Sequence, residues 1–415
     1  MAPSVRGRAG KVTGDSAQSL VFDILADAGH SRALRSEKDM HNSYRRLAGI
    51  LACVLSSLAL PAGAAETGAK VVAYVQGGSL PAWIHADKLT HINYAFARIE
   101  ANRAVLDRPG AAADLAKLRA LKQQNRHLSV MVSIGGWTAD GFSDAAFTEL
   151  SRHEFSRSVA ALLQQYDLDG VDLDWEYPGQ GVAGIKYRDA DKQNFTLLLQ
   201  TLRQELDAAG APRGRTGNNH YLLTIAGADR EYFDHVEMGK LHVYLDWVNE
   251  MAYDFFNSLT PTTGHQAGLR RSQFAAPTDR TGDAAVKQYL AAGVPAEKIV
   301  LGVPFYGRGF AGVTPRNNGI DQPYQRSEDF LSYAELVDKF IGKQGFVRYW
   351  DAQAQAPYLW NSASRRFITY DDAQSIAVKR CYVQTMHLGG MMFWELPLDK
   401  DDELLDAVAG SCTAH

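Results

Sequence analysis

Cysteine is scarce in this chain, with 3 in 415 residues. That excludes a disulfide-dense scaffold and any Cys-rich zinc or iron–sulfur framework. Neither sign of charge dominates. Lys and Arg total 43 against 47 for Asp and Glu, giving a net charge of −4, so no global basic field exists to recruit nucleic acid. No internal repeat, low-complexity tract or Ser/Pro-rich linker marks an appended module. No Gly-rich loop ending in Lys-Ser/Thr offers a phosphate cradle, and the 12 histidines show no metal-ligand spacing. What remains is 46% hydrophobic and 22% charged, the composition of a large folded chain. The length allows two or three ordinary domains, or one α/β barrel with additions.

The longest apolar run, Leu47–Leu60, is short of the ~20 residues of a spanning helix. Arg45 and Arg46 precede it, and Pro61-Ala-Gly-Ala-Ala65 follows. A basic flank, a short apolar core and small residues at the end describe a secretory signal peptide cut after Ala64 or Ala65. A buried core helix is the alternative. Met40 stands just upstream, so a signal of ordinary length occupies 40–64, and 1–39 reads as an unstructured extension or an over-called start. Cys53 follows Ile-Leu-Ala, faintly like a lipoprotein box, but the apolar run continues past it, which favours plain secretion (extracellular or periplasmic). Export leaves Cys381 and Cys412 in the mature chain. They are expected either as a disulfide, if the last long helix and the terminal helix are neighbours, or as two buried thiols.

Beyond residue 70, β-branched segments alternate with helix-like ones. Candidate strands are Val71–Val75, His91–Ala97, Leu128–Ile134, Gly170–Asp174, Tyr221–Ala226, Trp247–Ala252, Ile299–Pro304 and Gly390–Trp394. Helical patterns lie at Ala111–Gln124, Asp144–Gln165, Asp189–Ala209, Asp283–Gly293 and Asp371–Met386. Eight strands in this alternation predict a (β/α)8 barrel over 65–310 and 366–415. The span 311–365, between the last two strands, reads as a small α+β insertion. It has one helical stretch at Tyr333–Ile341 and strand-like pieces such as PYLW and RFITY.

The most informative stretch is DGVDLDWEYP, residues 169–178. Asp172, Asp174 and Glu176 are two apart, so on a strand they share a face opposite Val171, Leu173 and Trp175. In a barrel three carboxyls then line the interior, with Glu176 at the carboxyl end where barrel enzymes place their chemistry. Crowded, desolvated carboxyls cannot all ionise, and at least one becomes a proton donor near neutral pH. Asp169 falls at odd spacing and reads as structural. An Asp-x-Asp pair can also hold magnesium or manganese, though no phosphate cradle accompanies it.

This strand resembles the DxxDxDxE signature of glycoside hydrolase family 18, the chitinases and their relatives. Ser133-Ile-Gly-Gly-Trp137 is similar to the family's SxGG strand, and Met251-Ala-Tyr253-Asp254 to its MxYD strand. Gly302-Val-Pro-Phe-Tyr306-Gly-Arg308 and Gly389-Gly-Met-Met-Phe-Trp394 resemble the last two strands. The likeness runs in order from about residue 70 to 410.

The resemblance implies a role for each matching residue. Glu176 would be the general acid and later the base. Asp174 would orient the acetamido group of the substrate and stabilise its charge, and Asp172 would share a proton with Asp174. Tyr253 would hydrogen-bond the acetamido carbonyl, and Asp254 would bind the sugar beside it. Ser133 and Tyr74 would support the buried aspartate, and Trp394 would form the floor under the reacting sugar. Trp137, Tyr306, Arg308, Met251 and Phe96 complete the implied substrate-binding set. In this family the substrate supplies its own nucleophile, so neither metal nor cofactor is implied.

The chain departs from the family pattern after Asp254, where it reads Phe255-Phe256-Asn257-Ser258 in place of a frequent Trp platform, and at Thr138. Trp175 and Trp247 read as packing, and His265 as structural or surface. The expectation is a secreted, monomeric chitinase acting on chitin or N-acetylglucosamine oligosaccharides, free of the membrane once its signal is removed. The alternatives are an endo-β-N-acetylglucosaminidase acting on glycans, and a non-catalytic chitin-binding lectin. Such lectins typically lose the glutamate found here at 176.

Overall fold

The computed structural model describes residues 68–412. The readings at 1–39, at 40–64 and at Cys53 fall outside them. In chain order the strands are β1 (Lys70–Gln76), β2 (His91–Glu100), β3 (Arg103–Val105), β4 (Ser129–Gly135), β5 (Gly170–Asp174), β6 (Leu222–Gly227) and β7 (Trp247–Glu250). They continue as β8 (Ile299–Pro304), β9 (Tyr306–Ala311), β10 (Arg326–Ser332), β11 (Val347–Asp351), β12 (Ala356–Asn361), β13 (Arg366–Thr369) and β14 (Gly390–Trp394). Strands β1, β2, β4, β5, β6, β7, β8 and β14 pair in parallel in that order, and β14 pairs with β1 to close the ring. This is the (β/α)8 barrel expected from the alternation. Strand β3 is a short antiparallel flap on β2.

Two differences from the sequence reading have local causes. The helix expected over Asp144–Gln165 is two helices, Phe142–Phe147 and Glu149–Tyr166. At the break the Thr148 side chain accepts from the Ser151 N–H, and the Ser151 hydroxyl caps the Thr148 N–H, so a capping box starts a new helix. Strand β7 stops at Glu250, two residues before the expected end. The Ala252 N–H turns back to the Glu250 carbonyl and the Tyr253 N–H to the Met251 carbonyl. Asp254 then takes φ 55°, and these tight turns swing Tyr253 and Asp254 over the mouth of the barrel.

The amino end of the barrel is plugged. Trp247 meets His91 edge-on at 4.7 Å, under the Lys70 ammonium. Burial and the charge of Lys70 push the His91 imidazole down to about 4. Trp175 is also packing, sandwiched between Phe142 and Phe195.

The second sheet is five-stranded and antiparallel, in the order β10-β9-β13-β12-β11. It takes in Tyr306–Ala311 and Arg366–Thr369, on either side of the 311–365 span read from sequence. It has its own core of Phe310, Val313, Ile320, Tyr358, Trp360 and Phe367. Cys381, on the helix Ala373–Thr385, is joined to Cys412 by a disulfide. Among the described residues no helix is long and apolar enough to cross a membrane.

Candidate active site

Strand register assembles the deepest layer of the site. Ser133 of β4, Asp172 of β5 and Thr224 of β6 stand side by side in the ladder and point into the barrel. Asp172 is fully buried and accepts four hydrogen bonds. They come from the Tyr74 hydroxyl at 2.8 Å, the Ser133 hydroxyl at 2.7 Å, the Thr224 hydroxyl at 2.6 Å and the Asn249 amide at 3.1 Å. Asn249 is itself fixed by the Trp247 indole N–H. Hydrogen bonds to a charged group contribute about 1.5–3 kcal/mol each, so four offset much of the several kcal/mol that burying a carboxylate costs. Burial still prevails, and the Asp172 carboxyl is raised above its usual value.

The next layer is not compensated. Asp174 ends β5, and its Oδ1 is buried without a partner. Burial first, then the charges of Glu176 and Asp172, hold Asp174 well above the usual carboxylate range. Glu176 lies one step further out. Burial and the negative charge of Asp254 push it up to about 7, against the opposing Tyr177 hydroxyl.

Tyr253 stands across the mouth, with its hydroxyl 4.0 Å from the Met392 sulfur. Room for it comes from Gly302, where a Cβ would lie 3.0 Å from the tyrosine ring and 2.8 Å from Met392. Asp254 is gripped by the Arg308 fork, Nε at 2.8 Å and Nη2 at 2.7 Å, which ties a barrel loop to the second sheet. Arg308 covers the ring of Tyr306, which stacks on Phe330 at 4.3 Å. Trp394 forms a floor, stacked with Phe96 at 5.5 Å and tilted against Tyr74 at 5.8 Å. Trp137 is 55% exposed beside Tyr177, so its face is open to a ligand.

Not every residue singled out from the sequence reaches the mouth. Asp169 sits at the opposite end of β5. It takes the Val130 N–H, Arg215 and Lys122, and serves the helix layer. Tyr306 and Met251 are buried, with the Tyr306 ring edge-on to that of Tyr253 at 6.2 Å. Phe256, in the place of the expected platform, folds onto the core against Gly264 and leaves Leu259 84% exposed at the loop tip. His265 is buried, with its Nε2 3.2 Å from Asp351 Oδ2 of β11. Sequence reasoning missed Thr224 and Asn249. Their signal was the inward register of β6 and β7 beside Asp172.

A sequence profile of glycosyl hydrolases family 18 matches residues 70–399. The chain belongs to glycosyl hydrolase family 18. It is 42% identical over 309 residues to Chitinase A1 of Niallia circulans, an overlap of 71% of this chain and 44% of that protein. It is 33% identical over 408 residues to Chitinase B of Serratia marcescens, covering 83% of this chain and 79% of the other. The chain thus spans less than half the length of the first relative. A solved family 18 N-acetylglucosaminidase from Paenibacillus barengoltzii superposes with a TM-score of 0.78 at 41% identity, over 82% of this chain and 99% of that one. The family 18 signatures coincide with the carboxyl ends of β4, β5, β7, β8 and β14, where the side chains described above converge.

Proposed function

We propose that this chain is a secreted chitinase that cleaves β-1,4-linked N-acetylglucosamine polymers with retention, the substrate's acetamido oxygen acting as nucleophile. One observation carries the reading. A buried, unpartnered Asp174 oxygen lies beside a glutamic acid raised to about 7. An acetamido N–H supplies the donor that Asp174 lacks, and Glu176 supplies the proton that the leaving oxygen needs.

In this scheme the sugar rests on Trp394 with its apolar C–H face toward the indole. Glu176 protonates the glycosidic oxygen as the bond to the anomeric carbon breaks. The acetamido oxygen closes onto that carbon, giving an oxazolinium ion. Asp174 steadies the positive charge, and the Tyr253 hydroxyl holds the acetamido group from the other side. Glu176, now a carboxylate, takes a proton from water as the water opens the ring from the face the leaving group vacated. Two displacements leave the anomeric configuration unchanged.

Secretion is supported by the signal-like segment at 40–64 and by the Cys381–Cys412 disulfide, a bond typical of oxidising compartments. The Paenibacillus relative, an N-acetylglucosaminidase at 41% identity, favours a second reading in which single sugars are released. Chitin oligomers and an N-glycosylated protein, digested side by side, test these readings. Chitin-derived products whose first-formed anomer is retained by NMR are expected, and their sizes separate chain cutting from release of monomer. An inverted first product, or efficient cleavage beside a fully deacetylated sugar, rejects the mechanism.

A further inference from the structure

Glu250 is the last residue of β7. Its neighbour Asn249 reaches inward to Asp172, so strand alternation turns Glu250 outward, toward the helix Gly282–Ala291. It is completely buried, and neither carboxyl oxygen has a hydrogen-bond partner. The polar groups around it come from four places. They are Asp229 after β6, Tyr232 in the turn Arg230–Asp234, Arg280 before the helix and Tyr289 on the helix, while Tyr177, which follows Glu176, lies on the far side of Arg280. The one cation here is already engaged, since Arg280 binds Asp229 through both Nε and Nη2. One guanidinium cannot neutralise two buried carboxylates. The Tyr289 hydroxyl lies beside the Glu250 carboxyl but donates to the Ala228 carbonyl at 2.9 Å, and the buried Tyr232 hydroxyl has no partner.

This knot lies directly behind the cleft. The Arg280 guanidinium sits 4.7 Å from the centre of the Phe255 ring, and Phe255 follows Asp254. The Tyr232 ring meets Tyr177 edge-on at 6.1 Å. The loops carrying Asp254 and Glu176 therefore both rest on it. We propose that Glu250 is a positioning residue for Glu176, its buried carboxyl packed among Asp229, Arg280 and Tyr232 behind the loops that carry Glu176 and Asp254. A hydrocarbon would fill the same space, but it would offer no polar atom beside the unpartnered Tyr232 hydroxyl. Ionised, Glu250 would place a second negative charge against Asp229 and loosen the support.

The inference rests on Glu176 being the acid, and three variants test it. In Glu250→Gln, a neutral group that still forms hydrogen bonds, most of the turnover should survive. In Glu250→Leu, kcat on chitin oligomers should fall at least tenfold with KM within about twofold, while circular dichroism and Tm show a folded protein. Tyr232→Phe removes only a hydroxyl and should lower kcat in the same sense, which covers the case in which the leucine variant does not fold. The charge state has its own readout. A carboxyl neutral in the fold and ionised when unfolded loses stability as pH rises above about 4.3. The Tm advantage of Glu250→Gln over the parent should therefore widen from pH 5 to pH 8. A constant Tm difference, equal loss in Gln and Leu, or wild-type kcat in Glu250→Leu or Tyr232→Phe would overturn the proposal. If Glu176 were not the acid, Glu176→Gln would stay active. If only the present inference fails, Glu176→Gln is inactive and Glu250→Leu is not.

Discussion

The two ends of β5 carry acids of the same kind in opposite circumstances. At the amino end Asp169 is met by a backbone N–H, an arginine and a lysine. At the carboxyl end Asp174 and Glu176 are buried against each other with no cation between them. Folding alone explains the first arrangement, because every charge finds a partner. It does not explain the second, which stores unmet hydrogen-bonding capacity and costs stability. Uncompensated carboxyls gathered at one rim of a barrel are the physical mark of a place where a ligand completes the structure.

Substitutions at the two ends should break this symmetry in different currencies. Glu176→Gln keeps shape but removes the transferable proton, so kcat should drop by ~10²–10⁴ with binding of chitin oligomers retained, read by steady-state kinetics beside calorimetry. Near-normal turnover would remove Glu176 from the reaction. Asp174→Asn keeps the size but removes the charge facing the oxazolinium ion, for a loss of ~10²–10³ in kcat. Its signature would be a folded protein that binds oligomers and stalls.

The pH profile sharpens the contrast. Glu176 must hold its proton to act, and its value of about 7 in the free protein puts the alkaline fall of kcat/KM near pH 7. Because Glu176, Asp174 and Glu250 are all raised in the fold, these three groups hold more protons in the folded than in the unfolded chain above about pH 4. These three groups therefore lower stability as pH rises, and Tm of Glu176→Gln should exceed that of the parent by more at pH 8 than at pH 5. A pH-independent difference would show that Glu176 is already ionised in the free enzyme.

Away from the mouth the expected effects are on stability. Cys381→Ser opens a loop with a sequence separation of 31 and should cost roughly 4 kcal/mol on the chain-entropy account, measured by denaturant unfolding. Asp169→Asn strands Lys122 and Arg215 at the quiet end of β5. It should cost about 1–3 kcal/mol with kcat/KM within about twofold. A large loss of turnover there would mean that the two ends are not separate.

The sequence made the barrel legible because its strands are short, apolar and bounded. Gly170–Asp174, Ile299–Pro304 and Gly390–Trp394 are read to the residue. It was less legible where short-range hydrogen bonds decide. The restart at Thr148 and the stop at Glu250 depend on one capping box and two tight turns, which periodicity does not register. For the site, alternation along DGVDLDWE was enough to turn three carboxyls to one face. The donors to Asp172 were harder to see, because Thr224 and Asn249 come from strands far apart in the chain and meet only through register. Glu250 was hidden for the opposite reason. It follows an inward residue and precedes a recognised motif, so nothing local singles it out.

Strand β8 passes into β9 through a single residue, Phe305. The return from β13 is pinned as well, since Gln266 donates its side-chain amide to the Tyr306 carbonyl and its backbone N–H to the Thr369 hydroxyl. The insertion is thus welded to the barrel at both of its ends, and the Asp254–Arg308 fork adds a third rivet across the gap. A wall fastened this way cannot swing like a jaw. The width of the groove is settled when the chain folds, before any sugar arrives, so a bound chain meets a die already cut and little of its binding energy goes into closing one.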